Sequence, residues 1–240
     1  MPRLFAGLIA LTAWAGFAVQ FGATFSNNGS IADTMWILLR FFTIISNLIV
    51  AITMTVVAMD RRVSPFMHGG VTLAISLVGV VYVTLLRGLV QLDGAALVAD
   101  TILHYIVPAM TLLYWLLIAP KYGLRWHHAL LWSLYPLIYF GYAILRGSID
   151  GRYPYPFMDV SVLGAARTAL NALGLAIAFL IAGAAMIAFS RIAGRNRLDL
   201  GVGKFLTTDV LGAALRIVAG HDLADKTGLG LQCLPHIGVE

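Results

Sequence analysis

A threonine and a histidine, placed alike in two apolar segments, are the residues of this chain best suited to chemistry. Thr43 lies in Leu38-Leu39-Arg40-Phe41-Phe42-Thr43-Ile44-Ile45-Ser46-Asn47, and His104 in Asp100-Thr101-Ile102-Leu103-His104-Tyr105-Ile106-Val107-Pro108. Each stands equally far from the start of its segment. If both segments cross a bilayer in the same direction, a hydroxyl and an imidazole meet at one depth. Ionisable groups at that depth are costly and are functional candidates by default. A hydroxyl is a weak nucleophile until a neighbouring base takes its proton. Asp100, one helical turn before His104, is placed to orient the ring and stabilise an imidazolium, as the acid of a catalytic triad does. Thr43, His104 and Asp100 thus make an acyl-transfer set. Arg40, Asn47 and Arg87 are candidates to hold a substrate carboxylate or head group. An oxyanion donor is also needed, and Asn47, Ser46 and Tyr105 are all open for that role.

Each of these residues also has a plainer reading. Thr43 and Asn47 suit interhelical hydrogen bonding, which is common for such residues in membranes. His104 suits a bond to a neighbouring helix, and Arg40 with Asp100 suits a structural ion pair at the rim. Pro108 removes a helical hydrogen bond to the carbonyl of His104 and favours a kink there.

The elements that must position these groups are membrane helices. The chain has 240 residues, 60% of them hydrophobic and 11% charged, with mean hydropathy +0.88. Soluble domains carry about 25% charged residues. Six apolar runs approach the roughly 20 residues that a spanning helix needs: 4–24, 36–58, 67–86, 97–119, 126–146 and 169–190. The first is too long for a signal-peptide core and lacks a small-residue cleavage site, so it reads as a helix. The net charge of +5 does not point to nucleic acid, because the basic residues gather at segment ends. Arg3, Arg61, Arg62, Lys121, Arg125, Arg191, Arg195 and Arg197 fall on one side, which the positive-inside rule makes cytoplasmic, together with both termini. Thr43 and His104 then lie in the outer half, about 10 Å deep at 1.5 Å per residue.

On 36–58, Trp36, Arg40, Thr43 and Asn47 form one polar stripe at helical spacing, flanked by Ser46. On 97–119, Asp100, His104, Pro108 and Thr111 form another. Below Asn47 the first offers only Thr53 and Thr55, and below Thr111 the second is apolar, so a pocket open at one end fits better than a passage through the membrane. Tyr153-Pro154-Tyr155-Pro156-Phe157, in the longest outer loop, reads either as an interfacial aromatic belt or as a stiff cap over the pocket mouth. His68, His127 and His128 lie near the cytoplasmic side, and His104 has no partner histidine at its depth, so no metal or cofactor is called for. No GxxxxGK, HExxH, GxSxG or CxxC pattern occurs, which removes common catalytic signatures. The single cysteine, Cys233, excludes an intrachain disulfide. Residues 1–197 form the membrane domain. Residues 198–240 read as a cytoplasmic tail in which Thr207-Thr208-Asp209 caps a short amphipathic helix near 209–219; His221 and His236 there read as solvated side chains.

Three stretches carry a resemblance. They are Arg40 to Leu48; His104 to Lys121, ending Trp115-Leu116-Leu117-Ile118-Ala119-Pro120-Lys121; and Tyr135-Pro136-Leu137-Ile138-Tyr139 through Arg146-Gly147 to Tyr153-Pro154-Tyr155-Pro156-Phe157-Met158-Asp159-Val160. Together they resemble the bacterial branch of the six-transmembrane superfamily that includes the androgen-induced membrane hydrolases of animals, over about residues 4–190. The resemblance implies a multi-pass protein of the bacterial inner membrane that hydrolyses fatty-acid esters of hydroxy fatty acids, with Thr43 and His104 at the active-site positions. It also implies an Asp before Trp115, where this chain has Tyr114. The expectation is an all-α, six-helix integral membrane protein and a cofactor-free lipid-ester hydrolase acting on membrane lipid. The alternative is a non-catalytic lipid-binding or transport protein whose polar stripes line a passage.

Overall fold

A computed structural model describes the backbone of residues 2–205 and the side chains of residues 2–192. The chain divides into two units, 1–191 and 192–240, and the site lies in the first. Every regular element among the described residues is helical: α1 (Pro2–Asn28), α2 (Ile31–Leu38), α3 (Phe42–Ala58), α4 (Pro65–Val81), α5 (Gly94–Thr101), α6 (Val107–Leu117), α7 (His127–Asp150) and α8 (Val160–Phe205). Two π-helical turns, Tyr82–Leu86 after α4 and Ile102–Ile106 between α5 and α6, extend these into longer helices, and a 3-10 turn, Pro156–Met158, precedes α8. Among the described residues, five helices are long and apolar enough to cross a membrane, or six if α2 and α3, bent by 99°, count as one span. The expected amphipathic helix at 209–219, with His221 and His236, lies outside the described residues.

Local chemistry explains the helix starts. Ser30 and Ser64 accept from the N–H groups of Asp33 and Met67, and Pro65, needing no N–H partner, opens α4. Packing follows residue size. α1 turns Ala6, Ile9, Ala10, Ala13 and Gly16 inward, and this small-residue face lets α3 and α5 approach closely. Outward stand large apolar side chains such as Leu11, Leu85, Ile138, Ile149 and Val162. A soluble domain rarely exposes so much contiguous apolar surface, and lipid is the solvent that such a surface fits.

One sequence expectation is corrected. Residues 36–58 are not one helix, because the chain breaks at Leu39-Arg40-Phe41. Trp36 and Arg40 therefore do not continue the face of Thr43 and Asn47, and Thr43 stands in the first turn of α3. Neither proline nor glycine marks the break. Remote side chains make it, by taking up the carbonyls that the interruption frees. Tyr139 donates to Arg40 O at 2.7 Å, Tyr142 to Leu39 O at 3.1 Å, and Arg146 to Trp36 O. Arg40 itself pairs with Asp150 on α7, not with Asp100.

Candidate active site

Thr43 and His104 meet directly. Thr43 Oγ1 lies 3.1 Å from His104 Nε2, and His104 Nδ1 lies 2.9 Å from Asp100 Oδ1. The second carboxylate oxygen of Asp100 accepts from Tyr82 Oη at 2.5 Å, and the Tyr82 ring stacks on His104 with centroids 4.0 Å apart. An Nδ1–H aimed at the carboxylate leaves Nε2 free to accept the threonine proton, a tautomer assigned from this network.

Backbone irregularity places both rings. Tyr82 and His104 each sit in a π-helical turn, and such turns often occur at functional sites. Pro108 has no N–H to continue the ladder, and the wider turn just before it absorbs the mismatch. Gly79 lets α4 approach: a Cβ there would stand 3.2 Å from His104 O and 3.4 Å from the Pro108 side chain.

The sequence candidates separate once placed. Thr43, His104 and Asp100 converge. Asn47, 1% exposed, spends its amide on Thr43 O (2.8 Å) and Leu103 O (3.2 Å), tying the first turn of α3 to the histidine's turn. Ser46 bonds to Tyr135 Oη at 3.0 Å. Tyr105 is exposed and meets Tyr82 edge-on. Arg87 is exposed just beyond the first π turn, near Leu86 and Leu89, which line the cavity described below. Arg40 lies in the ion pair with Asp150.

The triad faces a cavity of about 700 Å³, within the usual range for a drug-sized ligand. Its walls are mostly apolar, with Leu38, Phe41, Ile44, Leu86 and Leu103 among them, while Thr43, Tyr82, Asp100 and His104 cluster as a polar spot. Pro154, Tyr155 and Pro156 close another part of the wall, which favours the cap over the plain aromatic belt. Tyr155 rests edge-on against Phe41, and its hydroxyl faces the Thr43 hydroxyl and the N–H groups of Phe42 and Thr43. Burial pushes the Tyr155 phenol above its ordinary pKa, with those donors pulling the other way, so it remains a protonated donor.

Sequence reasoning missed Tyr82. One tyrosine in a Val- and Leu-rich span looks like packing, and only the fold shows its hydroxyl on Asp100. The first-turn N–H groups of α3 were invisible for a similar reason, since an unbroken helix would have hidden them.

No protein-family model, curated protein or solved structure matches this chain.

Proposed function

We propose that this multi-pass membrane protein hydrolyses lipid esters, with fatty-acid esters of hydroxy fatty acids as the substrate type that the resemblance suggests. The observation that carries the reading is the continuous Thr43–His104–Asp100 chain, at 3.1 and 2.9 Å, ending at an apolar cavity. His104 Nε2 takes the Thr43 proton as Oγ1 attacks the ester carbonyl. The developing oxyanion is held by the first-turn N–H groups of Phe42 and Thr43, which face the Tyr155 hydroxyl and where the helix dipole favours negative charge, and by that hydroxyl itself. The alcohol leaves with the proton from His104, and water then releases the acid from Thr43. Asp100, held from the other side by Tyr82, keeps the ring oriented. Asn47 is a positioning residue. The site lies in the outer half of the inner membrane, with both termini cytoplasmic.

Two measurements test this. A lipid-like fluorophosphonate should form its adduct on Thr43, and His104→Ala should suppress labelling while the protein still folds. An adduct on another residue overturns the mechanism. Ligand retention that is identical in the wild type and Thr43→Ala, with no turnover in either, supports the non-catalytic lipid binder instead. Cysteines at positions 28, 93 and 151 should label from outside and those at 61 and 197 from inside. External labelling at 62 reverses the topology.

A further inference from the structure

α4 and α6 run antiparallel, in a register set by three contacts. Tyr82 stacks on His104, Gly79 abuts His104 O and Pro108, and His68 stacks on Tyr114 with centroids 6.0 Å apart. Between these contacts the sequence places His68, Thr72 and Ser76 at i, i+4 and i+8 on α4, and Thr111 and Trp115 on α6. Such spacing puts each set on one helix face. Thr111, Thr72, Trp115 and His68 are 0%, 1%, 2% and 3% exposed. Of the buried side-chain atoms left without a protein partner among the described residues, four fall here: His68 Nδ1, Ser76 Oγ, Thr111 Oγ1 and Trp115 Nε1. One end of the seam is the turn carrying His104. The other lies by Lys121, whose Nζ is 5.0 Å from the Trp115 ring centre.

Buried donors and acceptors left dry are expensive, and groups lined up in this way are satisfied by ordered water, each molecule making about three hydrogen bonds. The hydrolysis proposed above needs water at a particular moment. Once an acyl chain fills the cavity, the lipid side is closed to it. We infer that the seam between α4 and α6 binds a file of water that reaches His104 from the Lys121 end and supplies the molecule that hydrolyses the acyl-Thr43 ester, an inference that rests on that reading. In this step the water oxygen bonds to the acyl carbon while His104 Nε2 takes its proton. The bond from that carbon to Thr43 Oγ1 breaks, and the proton passes to Oγ1, restoring the hydroxyl.

The first arm of the test does not need turnover. Radiolytic hydroxyl-radical footprinting of the full chain in detergent modifies side chains that touch bound water even when bulk solvent is excluded. Trp115 should be oxidised despite its burial, whereas Phe179, equally buried in an apolar cluster, should be spared. Thr111→Val, which keeps the shape and removes the hydroxyl, should lower Trp115 oxidation several-fold. Wild-type Trp115 as inert as Phe179 overturns the inference. In the second arm, Thr111→Val should slow deacylation about tenfold, roughly one hydrogen bond, while fluorophosphonate labelling of Thr43 keeps its rate. A dry structural seam would leave both rates unchanged, and that result also overturns the inference. Ser76→Ala repeats both arms should Thr111→Val fold poorly. Absence of any Thr43 adduct in the wild type removes the hydrolase reading, and footprinting still decides whether the seam holds water.

Discussion

Two buried polar clusters flank the break between α2 and α3, and they end differently. In the ionic cluster Arg40 and Arg146 share Asp150. Arg146 lies over the Trp36 ring, 3.8 Å from its centre, and donates to Tyr142 Oη at 2.8 Å. Arg146, Tyr142 and Tyr139 donate in turn to the carbonyls of Trp36, Leu39 and Arg40. Each chain of contacts there closes on the backbone. In the other cluster Tyr82, Asp100 and His104 pass side chain to side chain to the Thr43 hydroxyl, which faces a cavity and the Tyr155 hydroxyl. A network that closes on the backbone shapes the fold, and one that ends on a hydroxyl at a cavity is positioned for chemistry. The first also serves the second, since the break it enforces brings Thr43 and the first-turn N–H groups of α3 to the cavity wall.

The largest effect that separates the clusters is expected at Thr43. Thr43→Ala should abolish turnover and probe labelling with little change in thermal stability. Thr43→Ser should keep part of the activity, since only the methyl is lost. Asp100→Asn should lower kcat by about a hundredfold or more, because the ring loses the partner that orients it and steadies its charge. An intact Thr43→Ala protein that still labels would merge the two clusters into one structural network.

Next comes Arg146→Ala, with the opposite signature. Removing one member of a buried ion cluster leaves uncompensated charge and costs about 3 kcal/mol or more. Arg146 is 4% exposed. The melting temperature should fall sharply, and activity with it, as the α2–α3 break loosens. Lost activity at unchanged stability would instead place Arg146 with the substrate.

Tyr155→Phe should sharpen the contrast with a smaller effect. It keeps the ring against Phe41 and removes only the hydroxyl facing Thr43. An expected loss of about tenfold to a hundredfold in kcat, with KM and stability nearly unchanged, would mark an oxyanion donor; the removal of one such donor elsewhere costs about 100-fold or more, and the α3 N–H groups remain. A change confined to KM would make Tyr155 a wall and nothing more.

What was legible in the sequence follows from helical periodicity. Asp100 and His104 at i and i+4 share a face wherever a helix forms, whereas the matching depth of Thr43 rests on counting along an unbroken helix from residue 36, a premise that the break removes. The outward apolar faces were equally plain. The break at Leu39-Arg40-Phe41 was not, because its causes, Tyr139, Tyr142, Arg146 and Asp150, lie about a hundred residues away and no local breaker announces it. The stripe joining Trp36 and Arg40 to Thr43 failed for that reason. The seam of His68, Thr72, Ser76 and Thr111 is not visible in either helix alone. The half below Thr111 is apolar on α6, and the polar line passes to α4, a handover only packing reveals.

The smallest predicted effect is at Ser46, and it is the most exacting control. Ser46 lies one turn beyond Thr43 on α3, is 2% exposed and carries a hydroxyl, so composition alone would make it an equal nucleophile. Its oxygen is bound to Tyr135 at 3.0 Å, beside a separate cavity of about 140 Å³ that His104 does not line. Without a base it has no activation, and its bond ties α3 to α7. Ser46→Ala should therefore cost about 1 kcal/mol of stability, the usual net worth of one hydrogen bond, and leave labelling and turnover near wild type. Calorimetry and probe labelling on the same preparation measure both. A Ser46→Ala protein that folds normally and no longer labels would move the nucleophile one turn along α3 and detach it from His104.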